Sequence, residues 1–376
     1  MVLKKLEGAP KKQLVIGVVA AMTVGIWYFS FGKPNLRTPL PVITRNYSVT
    51  EVRSRYTTGR HNGSGEANTP ATCIGLSTEA TTSSTVLTRE GAVFKLDGVE
   101  IQPFGIRAAN ALESDIVAQH LVDKLDLIKS HGIQSISISL QGARTGTASA
   151  FNSDGTLRDE YVQRLEYILD ALAVRNMVAV VSYFYQARDQ DLNDDNAVRA
   201  AVTNATNVLL PWRNVWLHTI NEWYHSGFDR SILKTATGQE EIYGIIKGID
   251  PQRITFVSDV SGANDGFIAD TGQTASNGNV VVEYVRQDEY DAPGVFTTGD
   301  RSSAQQDAEE TFNAGGYWFW HSAWHQKADV AGWPRYDEGG AGTMEDPGVS
   351  FIWNKMQALS QSSACTATSF LPIVIR

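Results

Sequence analysis

The feature that most constrains the fold of this chain is a regular alternation of short apolar runs with segments of helical periodicity after residue 92. The run 177–184 is dense in valine, and the preceding segment 159–175 repeats apolar residues at the spacing of an amphipathic helix. Strands that alternate with helices predict βαβ units and a parallel sheet. Eight strands are predicted, at 101–106, 133–140, 177–184, 214–220, 253–258, 280–285, 294–297 and 316–320.

This pattern predicts an α/β fold, a (β/α)8 TIM barrel within residues 88–376. We expect the barrel to be irregular around strands five to seven, because 262–279 and 287–292 are too short or too polar for good crossover helices. An open doubly wound sheet is the alternative architecture. Because no glycine-rich phosphate loop follows the first predicted strand, a dinucleotide-binding version has little support, and no cofactor is expected.

The size and charge of the chain narrow the classes of partner. With 376 residues and 42% hydrophobic content, the chain can bury a large core. Its 32 basic and 41 acidic residues give a net charge of −9, whereas proteins that bind nucleic acid normally present a basic face. We therefore expect no nucleic-acid partner.

The N-terminal region predicts a membrane anchor. Residues 14–31 carry no charged side chain and approach the ~20 residues that cross a bilayer. More lysines precede this run than follow it, so residues 1–13 are predicted to be cytoplasmic and the C-terminal domain extracytoplasmic or extracellular. A cleaved signal peptide is the alternative. The Thr-, Ser-, Gly- and Pro-rich stretch 32–87 is typical of a stalk between membrane and domain.

Two cysteines bracket the predicted domain. Cys73 precedes the first barrel strand, and Cys365 follows the last helical segment. In an oxidising compartment a disulfide between them would join the entry and the exit of the domain, with an expected stabilisation of about 4–5 kcal/mol. Two unrelated thiols are the alternative.

A candidate site lies at the end of the fourth predicted strand. Asn221, Glu222 and Trp223 close the apolar run 215–220 where a buried strand should open into a loop. Active sites of (β/α)8 barrels collect at the C-terminal ends of the parallel strands. A carboxylic acid at this position, with an amide beside it, indicates acid/base chemistry.

From these features the chain resembles the large clan of retaining (β/α)8 glycoside hydrolases that includes cellulases, mannanases and β-galactosidases. The resemblance covers about residues 92–360 and rests on Asn221-Glu222, on the aromatic segment 317–321, and on the segments 94–98, 103–106 and 129–133. It implies that Glu222 is the general acid/base, that Asn221 binds a sugar 2-hydroxyl, and that Trp320 is a sugar platform. It also implies a carbohydrate substrate.

The sequence offers two candidates for the second carboxylate. The clan's nucleophile is a Glu at the end of strand seven, and the region 294–301 contains no Glu. Asp300 is the nearest carboxylate there. Glu283, on predicted strand six, is the other candidate, because it alternates with two valines and should face inward. The alternative to a catalytic role for Glu283 is a structural salt bridge with Arg286 or Arg107.

Other side chains are candidates for substrate contact. Aromatic rings at or near predicted strand ends, Tyr183, Trp223 and Tyr284, suggest stacking against sugar faces, although each such ring also suits a core. Arg107 is placed to orient a carboxylate, and His321 to bind a carboxylate or a sugar hydroxyl. His321 and His325 do not form a zinc motif, so no metal is assigned.

The leading hypothesis is therefore a membrane-anchored, outward-facing glycoside hydrolase that cleaves O-glycosidic bonds with a pair of carboxylates. The alternative is a non-catalytic glycan-binding or structural surface protein that keeps the barrel and has lost the nucleophile. The apparent absence of a strand-seven Glu is the best support for that alternative.

Overall fold

The computed structural model describes residues 85–91, 93–101, 104–142, 149–223, 225–258, 266–270, 280–327 and 332–368. The first elements form an antiparallel sheet of three strands, β1 (Leu87–Glu90), β2 (Val93–Leu96) and β3 (Val99–Glu100). Asp97 and Gly98, between β2 and β3, both have positive φ, at 52° and 80°. That conformation is typical of a tight hairpin turn.

The next eight strands close into a parallel barrel. β11 lies between β10 and β4, which completes the ring in the order β10-β11-β4-β5-β6-β7-β8-β9. The barrel strands are β4 (Phe104–Arg107), β5 (Ser135–Ser139), β6 (Val178–Phe184), β7 (Val215–Ile220), β8 (Thr255–Ser258), β9 (Gly266–Asp270), β10 (Val280–Arg286) and β11 (Tyr317–Ser322).

Helices alternate with many of these strands, and several begin at side-chain caps. Ser114 Oγ accepts from the Val117 N–H at 3.3 Å, and Asp194 caps the third helix in the same way. Such caps satisfy N–H groups that the first helical turn leaves free. The helices are α1 (Asp115–Ser130), α2 (Asp159–Ala173), α3 (Asp195–Leu209), α4 (Ala236–Ile249), α5 (Thr298–Asn313), α6 (Ala323–Gln326) and α7 (Ser350–Thr368), with 3₁₀ turns at Asp189–Asp191 and Gln287–Tyr290.

The antiparallel sheet contributes to the apolar packing inside the barrel. Phe94 of β2 packs edge-on against Trp216 of β7, with ring centroids 4.6 Å apart, and its backbone N–H donates to the Tyr317 hydroxyl at 2.8 Å. Phe256, Phe319 and two valines of β6, Val178 and Val180, belong to the same cluster. A second and larger cluster lies between the barrel and its helices.

Strand alternation decides which side chains enter the barrel. On β10, Val281 joins the interior cluster, and Glu283 follows on the same face two residues later. Tyr284, one residue further, joins the cluster between barrel and helices. On β11, Phe319 is interior and Trp320 is outward in the same way. Glu283 thus faces inward, as its flanking valines predict.

The predicted assignment of strands six and seven was wrong. Gly266–Asp270 forms a barrel strand, β9, so the strand carrying Glu283 is the seventh and not the sixth. The strand predicted at 294–297 is instead a turn, in which Gly294 has φ +76°, and it leads to Thr297, the N-cap of α5. β9 was missed because its apolar stretch is only three residues long, between Gly266 and Asp270.

Several predictions fall outside the described residues. The membrane segment 14–31, most of the stalk 32–87, and Cys73 are among them, and so are the connections 259–265 and 271–279 that flank β9. Cys365 lies in the last turns of α7, where side chains are not described. Of the helices in the described part of the chain, none has both the length and the apolar character needed to span a bilayer.

Candidate active site

Glu283 lies inside the barrel, where its carboxylate contacts the guanidinium of Arg107 and the ring of His321. Its Oε1 accepts from Arg107 Nη1 at 2.8 Å and lies 3.1 Å from His321 Nδ1. Burial alone would raise the pKa of Glu283, but the charge of Arg107 and the contact with His321 lower it well below its usual range. The carboxylate is therefore ionised at neutral pH.

Arg107, the last residue of β4, connects this carboxylate to the end of β7. Its Nη1 donates to Glu283, and its Nη2 donates to Asn221 Oδ1 at 3.1 Å. Arg107 is 2% exposed, and although burial opposes its charge, Glu283 raises the pKa of its guanidinium. The salt bridge predicted for Glu283 is thus present, and its partner is Arg107. Arg286 pairs instead with Asp288 and Asp300.

Glu222 directly follows β7 and has an unusual backbone conformation. Its φ is +49°, in the left-handed region that residues other than Gly, Asn and Asp seldom adopt. Its Oε2 accepts from Asn221 Nδ2 at 3.0 Å and from Gln186 Nε2. Strained backbone is common at functional sites because surrounding contacts must hold it in place.

His321 supports Glu283 from β11 as a neutral ring. Burial lowers the pKa of His321, with the charge of Arg107 acting in the same direction. Gln326 Nε2 lies 2.6 Å from His321 Nε2, and because an amide nitrogen donates, that ring nitrogen accepts. The ring proton is then on Nδ1 and points to the Glu283 carboxylate.

A second buried histidine faces the same interior. His218 lies on β7 next to Ser182 of β6 in the register, and burial lowers the pKa of His218 to about 4. The negative charge of Glu283 acts on it in the opposite direction. The polar part of the barrel interior therefore holds the neutral rings of His218 and His321, the Arg107–Glu283 ion pair and the strand-end amide of Asn221.

These contacts form one continuous hydrogen-bonded chain between two carboxylates. It runs from Glu283 through Arg107 and Asn221 to Glu222. One carboxylate is held ionised by a buried guanidinium, and the other is held by side-chain amides at a strand end. Hydrolysis of a glycosidic bond needs a carboxylate that attacks or activates water and a carboxylic acid that protonates the leaving oxygen.

Asp300, the other candidate for the second carboxylate, instead caps a helix. It is the third residue of α5, where its carboxylate bonds the N-cap Thr297 in a capping box. It also pairs with Arg286 at 3.2 Å and lines a surface cavity with Arg301 and Met344. Its position after residue 294 suggested strand seven, but the seventh strand is β10, and its carboxylate is that of Glu283.

Three of the predicted sugar-binding rings face the helices. Trp320 is fully buried and stacks on Tyr284, with centroids 5.8 Å apart and planes at 15°. Tyr183 is also fully buried, and its hydroxyl lies 3.1 Å from Thr206 Oγ1 of α3. These placements correct the predicted platform role, because alternation points each ring away from the barrel interior. Trp223 is half-buried beside Glu222 and stays a candidate platform.

Sequence reasoning missed two glutamines. Gln186 follows β6 by two residues and contacts both Asn221 and Glu222, while Gln326 in α6 contacts His321. The position of Gln186 past a strand end was the available signal, since the same logic singled out Asn221. Gln326 lies in a short helix after β11 and carries no comparable signal.

Comparison with known proteins identifies the fold. No family model and no curated protein matches the sequence. A β-mannanase from the blue mussel Mytilus edulis is 13% identical, with 74% of this chain and 97% of that chain covered at a TM-score of 0.50. A β-1,4-D-mannanase from Cryptopygus antarcticus is 13% identical, with 73% and 94% covered at a TM-score of 0.51.

A putative glycoside hydrolase from Bacteroides vulgatus is 15% identical, with 75% of this chain and 61% of that chain covered at a TM-score of 0.54. At these identities the likeness establishes the architecture. The resemblance to (β/α)8 glycoside hydrolases that the sequence motifs indicated is confirmed at the level of the fold: the chain folds as a parallel α/β barrel like those of mannanases and other glycoside hydrolases.

Proposed function

We propose that this protein is a glycoside hydrolase in which Glu222 is the general acid/base and Glu283 the second carboxylate. The observation that carries the proposal is the position of Glu283 on β10, the seventh barrel strand, where Arg107 holds it ionised and also holds Asn221 beside Glu222. The clan that the chain resembles has its nucleophile on that strand.

The chemistry follows from the two environments. An ionised Glu283 would attack the anomeric carbon, and Glu222 would protonate the departing oxygen and then take a proton from the water that completes hydrolysis. The resemblance to retaining enzymes favours this covalent route. Asn221 donates both amide hydrogens within the protein, to Gln186 and Glu222, so a sugar hydroxyl would donate to Asn221 Oδ1.

The first test is turnover with a matched set of carboxylate variants. Because the similar structures include β-1,4-mannanases, β-mannans are the first substrates, followed by other β-linked polysaccharides, with release of reducing sugar as the measurement. We expect Glu222→Gln to lose roughly 10²–10⁴-fold in kcat/KM, the usual share of acid/base catalysis, and Glu283→Gln to fall to background. Glu241→Gln, at an exposed ion pair on α4, should retain full activity.

The second test identifies the attacking atom. A 2-fluoro glycoside with an activated leaving group should trap one sugar per chain, and peptide mass spectrometry should find it on Glu283. Label on another carboxylate, or full activity in Glu283→Gln, would contradict the assignment.

A non-catalytic glycan-binding barrel is the second candidate. Its original support, a missing strand-seven Glu, no longer applies, but Glu283 is only 6% exposed and is paired as a structural ion pair would be. Glycan binding that persists in both carboxylate variants, with no turnover by the parent protein on any substrate, would favour this function.

We also propose that residues 14–31 anchor the protein in a membrane with the barrel on the extracytoplasmic side. The support is the uncharged run and the lysines that precede it. A hydrolase outside the cell would meet polysaccharides that do not cross the membrane.

A further inference from the structure

Gln186 contacts the proposed acid/base directly, a contact that the clan resemblance did not predict. Its side chain is 7% exposed, and it lies two residues beyond the end of β6. Its Nε2 donates to Glu222 Oε2, and its Oε1 accepts from Asn221 Nδ2 at 2.8 Å. Asn221 Nδ2 donates in turn to the same Glu222 oxygen at 3.0 Å. The three side chains therefore close a ring of hydrogen bonds.

This ring distinguishes the two oxygens of the Glu222 carboxyl group. A carboxylate oxygen has two lone-pair positions, and two amide N–H groups converge on Oε2. A proton on Oε2 would displace one of those donors, whereas a proton on Oε1 would leave both in place. The oxygen that carries a transferable proton is therefore Oε1.

The ring also opposes the backbone strain at Glu222. With φ at +49°, the residue adopts a sparsely populated conformation that needs external contacts to persist. Asn221 is fixed by Arg107, and Gln186 is fixed by its burial. Gln186 thus supplies a donor to the same carboxyl group from the loop that follows β6.

We propose that Gln186 is a positioning residue for Glu222: it holds Oε2 as an acceptor and thereby directs Oε1 to the leaving oxygen. This inference rests on the proposed function of Glu222. Gln186 itself touches the acid/base and not the bond that breaks, so its loss should affect only the step that needs a placed proton.

The test compares leaving groups in an isosteric variant. Gln186→Met keeps the length of the side chain and removes the amide. For substrates with poor leaving groups, such as unactivated glycosides, we expect kcat/KM to fall about 10–100-fold, the typical cost of a misplaced catalytic group. For dinitrophenyl glycosides, whose leaving group needs no proton, kcat/KM should stay within about threefold of wild type.

The matched control is Gln239→Met. Gln239, in α4, is also a buried glutamine, at 5% exposure, but its side-chain amide donates to the backbone carbonyl of Leu233. It should affect both substrate classes equally or neither. Equal losses for both classes in Gln186→Met, or no loss in either, would overturn the positioning role. Gln186→Leu, a shorter apolar replacement, takes the place of the methionine variant if that protein does not fold.

A structural measurement separates this inference from the proposed function. In a crystal structure of Gln186→Met, the Glu222 carboxyl group should rotate away from Asn221 Nδ2, and a carboxyl group that keeps the wild-type position would overturn the proposal. If the wild-type protein turns over no substrate, the hydrolase assignment fails, and the crystal structure still decides whether Gln186 positions Glu222.

Discussion

At the scale of the residue, Arg107 determines the electrostatics of the candidate site. It is one of the least exposed charged residues in the described part of the chain, and it bonds Glu283 and Asn221 with different nitrogens. A planar guanidinium can reach two acceptors in fixed directions, which a lysine cannot. The ionised state of Glu283 and the orientation of the strand-four amide therefore depend on the same side chain.

Replacing Arg107 with Met should destabilise the protein and abolish turnover. The change leaves the Glu283 carboxylate buried without its cationic partner, a situation that typically costs about 3–5 kcal/mol. The measurement is the free energy of unfolding from urea titrations. Arg199→Met, at an exposed ion pair with Glu241, should cost at most about 1 kcal/mol.

The double variant Arg107→Met/Glu283→Met separates the ion pair from its surroundings. Because both charges are removed together, it should recover most of the stability lost in the single variant. A double variant as unstable as Arg107→Met alone would mean that lost packing and not the unpaired carboxylate dominates.

At the scale of the element, Glu289 joins the segments that follow the last two barrel strands. It lies in the 3₁₀ turn Gln287–Tyr290, and its carboxylate accepts from the backbone N–H groups of Trp324 at 3.2 Å and Gly294 at 3.1 Å. The side chain is 4% exposed, and burial raises the pKa of Glu289 to about 7 despite these hydrogen bonds. A buried carboxyl group thus joins the turn at Gly294, after β10, to helix α6, after β11.

This carboxyl group should make stability fall as pH rises from about 5 to 8. In the unfolded chain Glu289 ionises near pH 4.5, but in the folded protein its pKa is about 7, so the folded state binds more protons between these values. The free energy of unfolding then decreases with pH, by about 3 kcal/mol for this group.

Glu289→Gln cannot ionise and should lack that part of the pH dependence, although it loses one acceptor and is less stable at pH 5. Unfolding titrations at several pH values measure the slope. Glu309→Gln, at an exposed ion pair with Lys355, should keep the wild-type slope. If Glu289→Gln also kept it, another group would be responsible.

Across the molecule as a whole, the barrel accounts for the candidate site, and the N-terminal region bears on where the protein is located. The barrel brings residues of different strands that are distant in sequence together, which is how Arg107, Asn221 and Glu283 meet. The N-terminal run 14–31 and the pairing of Cys73 with Cys365 stay predictions from sequence.

The anchor has a direct test in cell fractionation. We expect the full chain to sediment with membranes and to resist carbonate extraction, because an uncharged run of this length buries its side chains in the bilayer. Deletion of residues 14–31 should release the barrel. A full chain found in the soluble fraction, with its N-terminus removed, would show cleavage of a signal peptide instead.

Much of the local structure could be predicted from the order of the residues alone. Apolar periodicity located most of the strands and the helix at 159–175, and the strand-end position of Asn221-Glu222 marked one half of the candidate site. These properties depend on neighbouring residues along the chain, so they can be read without tertiary contacts. β9 was not predicted, because the three apolar residues between Gly266 and Asp270 are too few to show a clear period.

Which strands pair, and which way each side chain faces, depends on long-range packing that the sequence pattern does not reveal. Tyr183 and Trp320 suit a sugar platform and a core equally well, and closure of the barrel turned both toward the helices. Glu283 became the seventh-strand carboxylate because β9 pairs between β8 and β10. Ring closure and strand register are long-range properties, so the partners of Glu283 and the contact of Gln186 with Glu222 exist only in the folded barrel.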